Sequence, residues 1–287
     1  MRIAREKIWI SGSSGRLGSS MLRLLDPLDA EIIATDEHEV DITNQAEVSQ
    51  FVGRIRPHTI INCFGLSNRD KCEENPDHAY LLNAIGARNI AIASNKYMAK
   101  LVQLSTADVF DGNTDKPYTE FDKANPQTIY GKSNLEGENY VRTFSNYHFI
   151  VRVSRLYSRE NQFVENIIKQ AKTGEVKVAK DLYMSPTSAY DLAQFIIKLI
   201  ETNSFGTYHA SADGFTSMYD FASEILACTG IDAKINQIPD DLGMGIRPGF
   251  FAIDDYIVKI TKGELIPNWK DSLHAYIKRE GLNGKKV

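Results

Sequence analysis

Tyr130, Asn134 and Thr106 are the side chains of this 287-residue chain whose types and spacing best suit proton chemistry. Tyr130 and Asn134 stand four residues apart in Tyr130-Gly131-Lys132-Ser133-Asn134-Leu135-Glu136-Gly137-Glu138, a run that opens a helix. Residues i and i+4 share a helix face, with Cβ atoms about 6 Å apart, so whatever reacts at Tyr130 is also seen by Asn134. A phenol with no cation beside it keeps a pKa of about 10 and is protonated at neutral pH, the form a proton donor needs. The Asn134 amide can donate a hydrogen bond but supplies no charge. Lys132, at i+2, points to the far side of the helix. Thr106 ends the apolar run 101–106, at the strand edge where open α/β sheets bind ligands.

A second chemistry, phosphate binding, is encoded in Gly12-Ser13-Ser14-Gly15-Arg16-Leu17-Gly18. The apolar run 7–11 precedes it, and Met21, Leu22, Leu24 and Leu25 follow at helical spacing. Strand, glycine turn and helix in that order let backbone N–H groups approach a pyrophosphate beside a helix N-terminus. A glycine motif is weak alone, since a ligand-free Gly/Ser turn reads the same. Asp36 closes the next β-like run, 31–35, where a dinucleotide fold carries the acid that binds a ribose 2′-hydroxyl. Asp36 therefore argues for NAD, whereas Arg16 could meet the 2′-phosphate of NADP, and both readings stand.

The elements that must position these residues alternate β and α. Strands are expected at 59–63, 101–106 and 149–154, with helices at about 44–56 and 73–96 and another from Tyr130. Without hairpin signals, this pattern predicts a doubly wound parallel sheet, Rossmann-like, with a smaller mixed α/β lobe. We expect a cofactor-binding domain over 1–155 and a mainly substrate-binding lobe over 156–287, partly interleaved with it. In that lobe helices are expected at 160–172, 188–202, 216–229 and 270–284, and β pieces at 176–179, 206–210 and 234–238. Ser188-x-x-Asp191 and Ser217-x-x-Asp220 resemble capping boxes. The polar stretch 107–128 is long for a loop inside a domain and is expected to be functional.

Composition excludes several alternatives. Apolar residues at 43% and charged residues at 24% suit a globular protein with a sizeable core. A net charge of −4 gives no reason to expect nucleic acid or an anionic membrane as partner. Cys63, Cys72 and Cys228 show no metal-ligand spacing and no disulfide framework, so no metal is expected and free thiols in a reducing cytoplasm fit best. The apolar run Ile8-Trp9-Ile10 is too short for a signal-peptide core or a membrane span.

With the glycine turn, Ser105-Thr106 and Tyr130 on successive βα units, the chain resembles the extended short-chain dehydrogenase/reductases. Within that group it is similar to the dTDP-4-dehydrorhamnose reductase family over nearly its whole length. Further matching stretches include Arg56-Pro57-His58-Thr59-Ile60-Ile61-Asn62, Asp70-Lys71-Cys72-Glu73-Glu74-Asn75-Pro76, Ser185-Pro186-Thr187 and Arg247-Pro248. The resemblance implies reduction of a 4-keto-6-deoxy sugar on a nucleoside diphosphate by NADP or NAD chemistry. Tyr130 would protonate the developing alkoxide and Thr106 would hydrogen-bond the same oxygen. The cofactor would meet Gly12, Gly15, Arg16, Leu17, Gly18, Asp36, Asp41, Ile42, Cys63, Phe64, Gly65 and Ser105. For Asp41, stabilisation of a helix N-terminus is an equal reading. The sugar nucleotide would meet Ser67, Thr106, Arg155 and Arg247, and the partner protein would be a second copy or another enzyme.

The departures lie on the catalytic side. Asn134 stands where the family has a Lys that holds the nicotinamide ribose and, as a cation, lowers the Tyr pKa. Ala107-Asp108 replaces a common Asp-Tyr, Arg155 a frequent Trp, and Phe250-Phe251 a smaller polar pair. Two readings follow: a reductase working with Tyr130 and Thr106, or a non-catalytic cofactor-binding subunit of the same fold.

Overall fold

Five apolar runs become the parallel strands β1 (Lys7–Ser11), β2 (Glu31–Thr35), β3 (Thr59–Asn62), β4 (Lys100–Thr106) and β5 (His148–Val153). The structure is a computed structural model that describes residues 6–25, 30–239 and 249–283. The strand Gly206–His209 joins the edge beside β5, giving a six-stranded sheet in the order Gly206–His209, β5, β4, β3, β1, β2. Every pairing in it is parallel. The second half of the chain thus supplies one strand of the main sheet.

Strand alternation sorts the core into two layers. Ile8 and Ile10 face one side, with Met21, Leu192 and Ile196, while Trp9 faces the other, with Val48, Ile60, Ile90 and Val141. Full burial of such side chains is worth about 1.5–3 kcal/mol each. The helices on these faces are α1 (Arg16–Leu25), α2 (Gln45–Ile55), α3 (Arg69–Glu74), α4 (Pro76–Tyr80), α5 (Ala87–Lys96) and α6 (Ile129–Phe144). Because the strand order reverses at β1, the crevice at the strand C-termini opens there, beside Ser11 and Asn62.

The single helix expected over 73–96 is interrupted. Helical structure begins earlier, at Arg69, and Asn75 ends α3 while its side chain accepts from His78 N–H at 3.1 Å to start α4. Pro76 stands at the start of α4, where its missing N–H leaves nothing unsatisfied. A π-helical turn, Leu81–Gly86, then leads into α5. Such turns recur at functional sites, and this one carries Asn83.

In the second half, helices Phe163–Ala171 and Met218–Thr229 pack on a parallel pair, Glu175–Ala179 with Lys234–Ile238, while Ala189–Ile200 packs on α1 and Trp269–Arg279 on Met218–Thr229. Ser217 caps its helix by accepting from Asp220 N–H at 3.0 Å. At Ser188 no side-chain cap bond is made, and Asp191 accepts from Ser272. No helix among the described residues is long and apolar enough to cross a membrane.

Candidate active site

The glycine turn packs where only glycine fits. Gly12 has φ +75°, and a Cβ on it would come 2.8 Å from Phe64 N, while one on Gly18 would come 2.3 Å from Gly12 O. The turn therefore lies tightly against both the β3 loop and α1. Asp36 braces it: the Ser13 hydroxyl donates to its carboxylate at 3.0 Å and Ser14 N–H at 3.1 Å. The first turn of α1, at Arg16 and Leu17, leaves N–H groups that helix geometry does not pair. Tight backbone, small side chains and a helix N-terminus suit a diphosphate, and Asp36 beside them suits a ribose. Asp41 spends one carboxylate oxygen on Thr43 N–H and Oγ1, at 2.9 and 2.7 Å, and buried Ile42 packs under Gly86. Neither lines the main cleft.

That cleft runs from Gly15, Arg16 and Leu17 past Cys63, Phe64, Gly65 and Ser67 to Ser105, Thr106, Tyr130, Asn134 and Arg155. Residues from four βα junctions thus meet around one space. Asn83 fixes the β3 loop: its Oδ1 accepts from Leu66 N–H at 2.7 Å, and its Nδ2 donates to Ser133 Oγ at 3.0 Å. Arg16 reaches across the cleft and donates to Ser67 Oγ at 2.7 Å. Burial pushes the Cys63 thiol up to about 12, so it is neutral at physiological pH. The Arg155 guanidinium lies 4.3 Å from the Phe163 ring centre. Arg247 lies outside the described residues.

Tyr130 sits in the first turn of α6. Thr128 caps that helix, accepting from Gly131 N–H at 3.0 Å, and Glu73 of α3 accepts from Ile129 N–H at 2.7 Å. Gly131 is required there, because a Cβ would come 2.1 Å from the Asp108 carbonyl oxygen. Burial raises the Tyr130 pKa and the Asp108 charge adds to this, while Arg16 and Arg69 pull the other way. The result lies above the ordinary phenol value, so Tyr130 is protonated at neutral pH.

Two expected contacts are redirected. Asn134 Nδ2 donates to the Tyr130 carbonyl at 2.8 Å, so this N–H caps its own helix backbone instead of reaching for a ribose hydroxyl. The Ser105 hydroxyl donates to Glu138 at 2.5 Å, inside a buried network in which Arg152 forks onto the same carboxylate at 2.8 and 2.7 Å. Burial opposes ionisation of Glu138, but the Arg152 and Arg142 guanidiniums and Ser105 outweigh it and hold its pKa below the usual range. A hydrogen bond to an ionised carboxylate is stronger than one between neutral groups, so Glu138 holds the Ser105 hydroxyl firmly.

Arg69 and Asp108 are site residues that the sequence reading missed. Arg69 forks onto Asp108 through Nε at 2.7 Å and Nη2 at 2.8 Å, its guanidinium 4.7 Å from the Phe251 ring centre and 5.9 Å from that of Tyr130. Thr106 Oγ1 donates to Asp108 Oδ2 at 2.8 Å. The only sequence signal was Asp108 itself, a departure from the resembled pattern. Away from the cleft, Glu224, Cys228 and His274 bring potential ligand atoms within 4.8 Å of one another, but Glu224 is already held by His274 at 2.7 Å and Lys270 at 3.1 Å.

Residues 6–281 match the family model described as the RmlD substrate binding domain. The chain is 33% identical to the spore coat polysaccharide biosynthesis protein SpsK of Bacillus subtilis, covering 94% of this chain and 96% of that protein. Among solved structures, the dTDP-4-dehydrorhamnose reductase of Clostridium acetobutylicum superposes with a TM-score of 0.93 at 41% identity, covering 96% of this chain and 99% of that one. The Bacillus anthracis dTDP-4-dehydrorhamnose reductase, in complex with NADP, gives 0.93 at 36% identity with the same coverage.

Proposed function

Because the chain belongs to the RmlD substrate-binding-domain family, we propose that it is an NADP- or NAD-dependent reductase of a nucleotide-linked 4-keto-6-deoxy sugar. The observation that carries this is a protonated Tyr130 that lines, together with Thr106, a cleft whose other end is the glycine turn. Gly12, Gly15, Leu17 and Gly18 would hold the cofactor diphosphate, with Asp36 or Arg16 at the adenosine ribose. When bound, the nicotinamide supplies the hydride.

The chain's own residues then have separable tasks. Tyr130 donates its proton to the oxygen that becomes the alcohol, and burial keeps that proton in place until charge develops. The β3 loop, fixed by Asn83, closes one side of the cleft. Arg155 and Arg247 would meet the diphosphate of the sugar nucleotide. On this reading residues 1–155 bind mainly the cofactor and 156–287 mainly the sugar nucleotide. A nucleotide-sugar substrate and three free cysteines suit a reducing cytoplasm, with a second copy or another enzyme as protein partner.

The test compares wild type with Tyr130→Phe, using NADPH and dTDP-4-dehydrorhamnose with product identified by NMR. Tyr130→Phe should lose about 100-fold or more in kcat while binding NADPH normally. Equal rates in the two proteins would remove Tyr130 from the chemistry.

A further inference from the structure

The polar chain behind Tyr130 has a direction. The Thr106 hydroxyl has one hydrogen, which it gives to the Asp108 carboxylate at 2.8 Å. It also accepts from Asp108 N–H at 3.1 Å. Thr106 then has no second proton to give, so a phenol O–H at Tyr130 that meets it can only donate to it. Asp108 cannot turn away, since the Arg69 fork holds both its oxygens, and its side chain is only 4% exposed. Gly131 packs against its backbone.

We propose that Asp108, clamped by Arg69, is a positioning residue that orients the Thr106 hydroxyl and keeps Tyr130 in its protonated, proton-donating form. This rests on Tyr130 being the proton donor of the reductase reading. A phenolate at Tyr130 would form one hydroxyl away from a fixed carboxylate and would find Thr106 turned away from it. The phenol is therefore the favoured state, and Tyr130 is the donor left to meet a keto oxygen while Thr106 stays on Asp108. The other charged groups acting on Tyr130 are Arg69 of α3 and Arg16 of α1, both of which favour the phenolate. Glu73 is spent on Ile129 N–H, Arg155 lines the same cleft, and Asn134 on the same helix is neutral. Asp108 thus offsets the two arginines, at a position where no lysine follows at i+4.

The test reads the phenol directly and needs no turnover. Protein labelled with carbon-13 at tyrosine Cζ is titrated by NMR up to about pH 10.5, near the ordinary phenol pKa, with Tyr130 assigned by Tyr130→Phe. Asp108→Asn should make the Tyr130 phenol about tenfold more acidic, as expected for loss of a nearby like charge. Asp108→Glu, which keeps the charge, should titrate near wild type. If Asp108→Asn does not fold, Asp108→Ala serves, with the same expected direction. An unchanged Tyr130 titration in the neutral variant, or an equal shift in Asp108→Glu, would overturn the proposal. A wild type that fails to reduce the sugar would count against the reductase reading and leave this titration readable.

Discussion

Restoring a cation at residue 134 is the perturbation whose size can be worked most directly from the structure. Asn134→Lys removes the 2.8 Å bond to the Tyr130 carbonyl, a loss of about 1 kcal/mol. It also places an ammonium one helical turn from Tyr130. At about 6 Å and an effective dielectric of about 20, two unit charges interact by about 3 kcal/mol. Roughly half survives screening on this half-buried helix face, which is about tenfold in the acidity of the Tyr130 phenol. Proton donation responds with about half that sensitivity, so kcat for reduction at neutral pH should rise about threefold. The reverse oxidation, which needs the phenolate, should gain more, and its pH profile should move to lower pH. The assay is steady-state kcat against pH in both directions, with cofactor affinity measured alongside. A folded Asn134→Lys protein with unchanged profiles would refute the view that charge at this position tunes Tyr130.

Three other outcomes follow from particular contacts. Gly131→Ala forces a Cβ to within 2.1 Å of the Asp108 carbonyl, so it should destabilise the protein by about 1–3 kcal/mol and lower turnover, as read by thermal melting and initial rates. Glu138→Gln strands Arg152 in the core and should lose about 3 kcal/mol at pH 7 in urea unfolding. Since the folded Glu138 pKa is depressed, this stabilisation is complete above the unfolded value of about 4.3 and fades as pH falls through the folded one, so the gap should close in acid. Asp36→Asn can still accept from Ser13 and Ser14 but loses the charge that opposes a 2′-phosphate. The NADP-to-NAD affinity ratio, measured by fluorescence titration, should rise about fivefold.

Much of the fold was legible because it rests on local signals. The runs that became β1 to β5 are largely apolar and stop at or just before Ser, Thr or Asn, so their extents, to within a residue, and their parallel order could be read directly. The strand Gly206–His209 was readable as a β piece, but its seat beside β5 depends on a long-range pairing that leaves no local mark. The break at Asn75-Pro76 was visible in the residues, yet the apolar periodicity around it reads as one helix. At the site, the glycine turn and Tyr130 carry their meaning in spacing. Ser105 lines the cleft, but the hold of Glu138 on its hydroxyl, from 33 positions away, leaves no local mark in the sequence. Arg69 and Asp108, separated by 39 positions, acquire a role only when α3 meets the turn after β4.

The cleft around Tyr130 reduces a sugar ketone, on the function proposed above, although Asn134 brings no charge. The direct measurement is stoichiometric: purified wild-type protein, NADPH and dTDP-4-dehydrorhamnose, with nicotinamide absorbance and sugar product followed together. One reduced sugar is expected for each NADPH consumed, over many turnovers per protein molecule. Tight NADPH binding with no sugar reduced would contradict it.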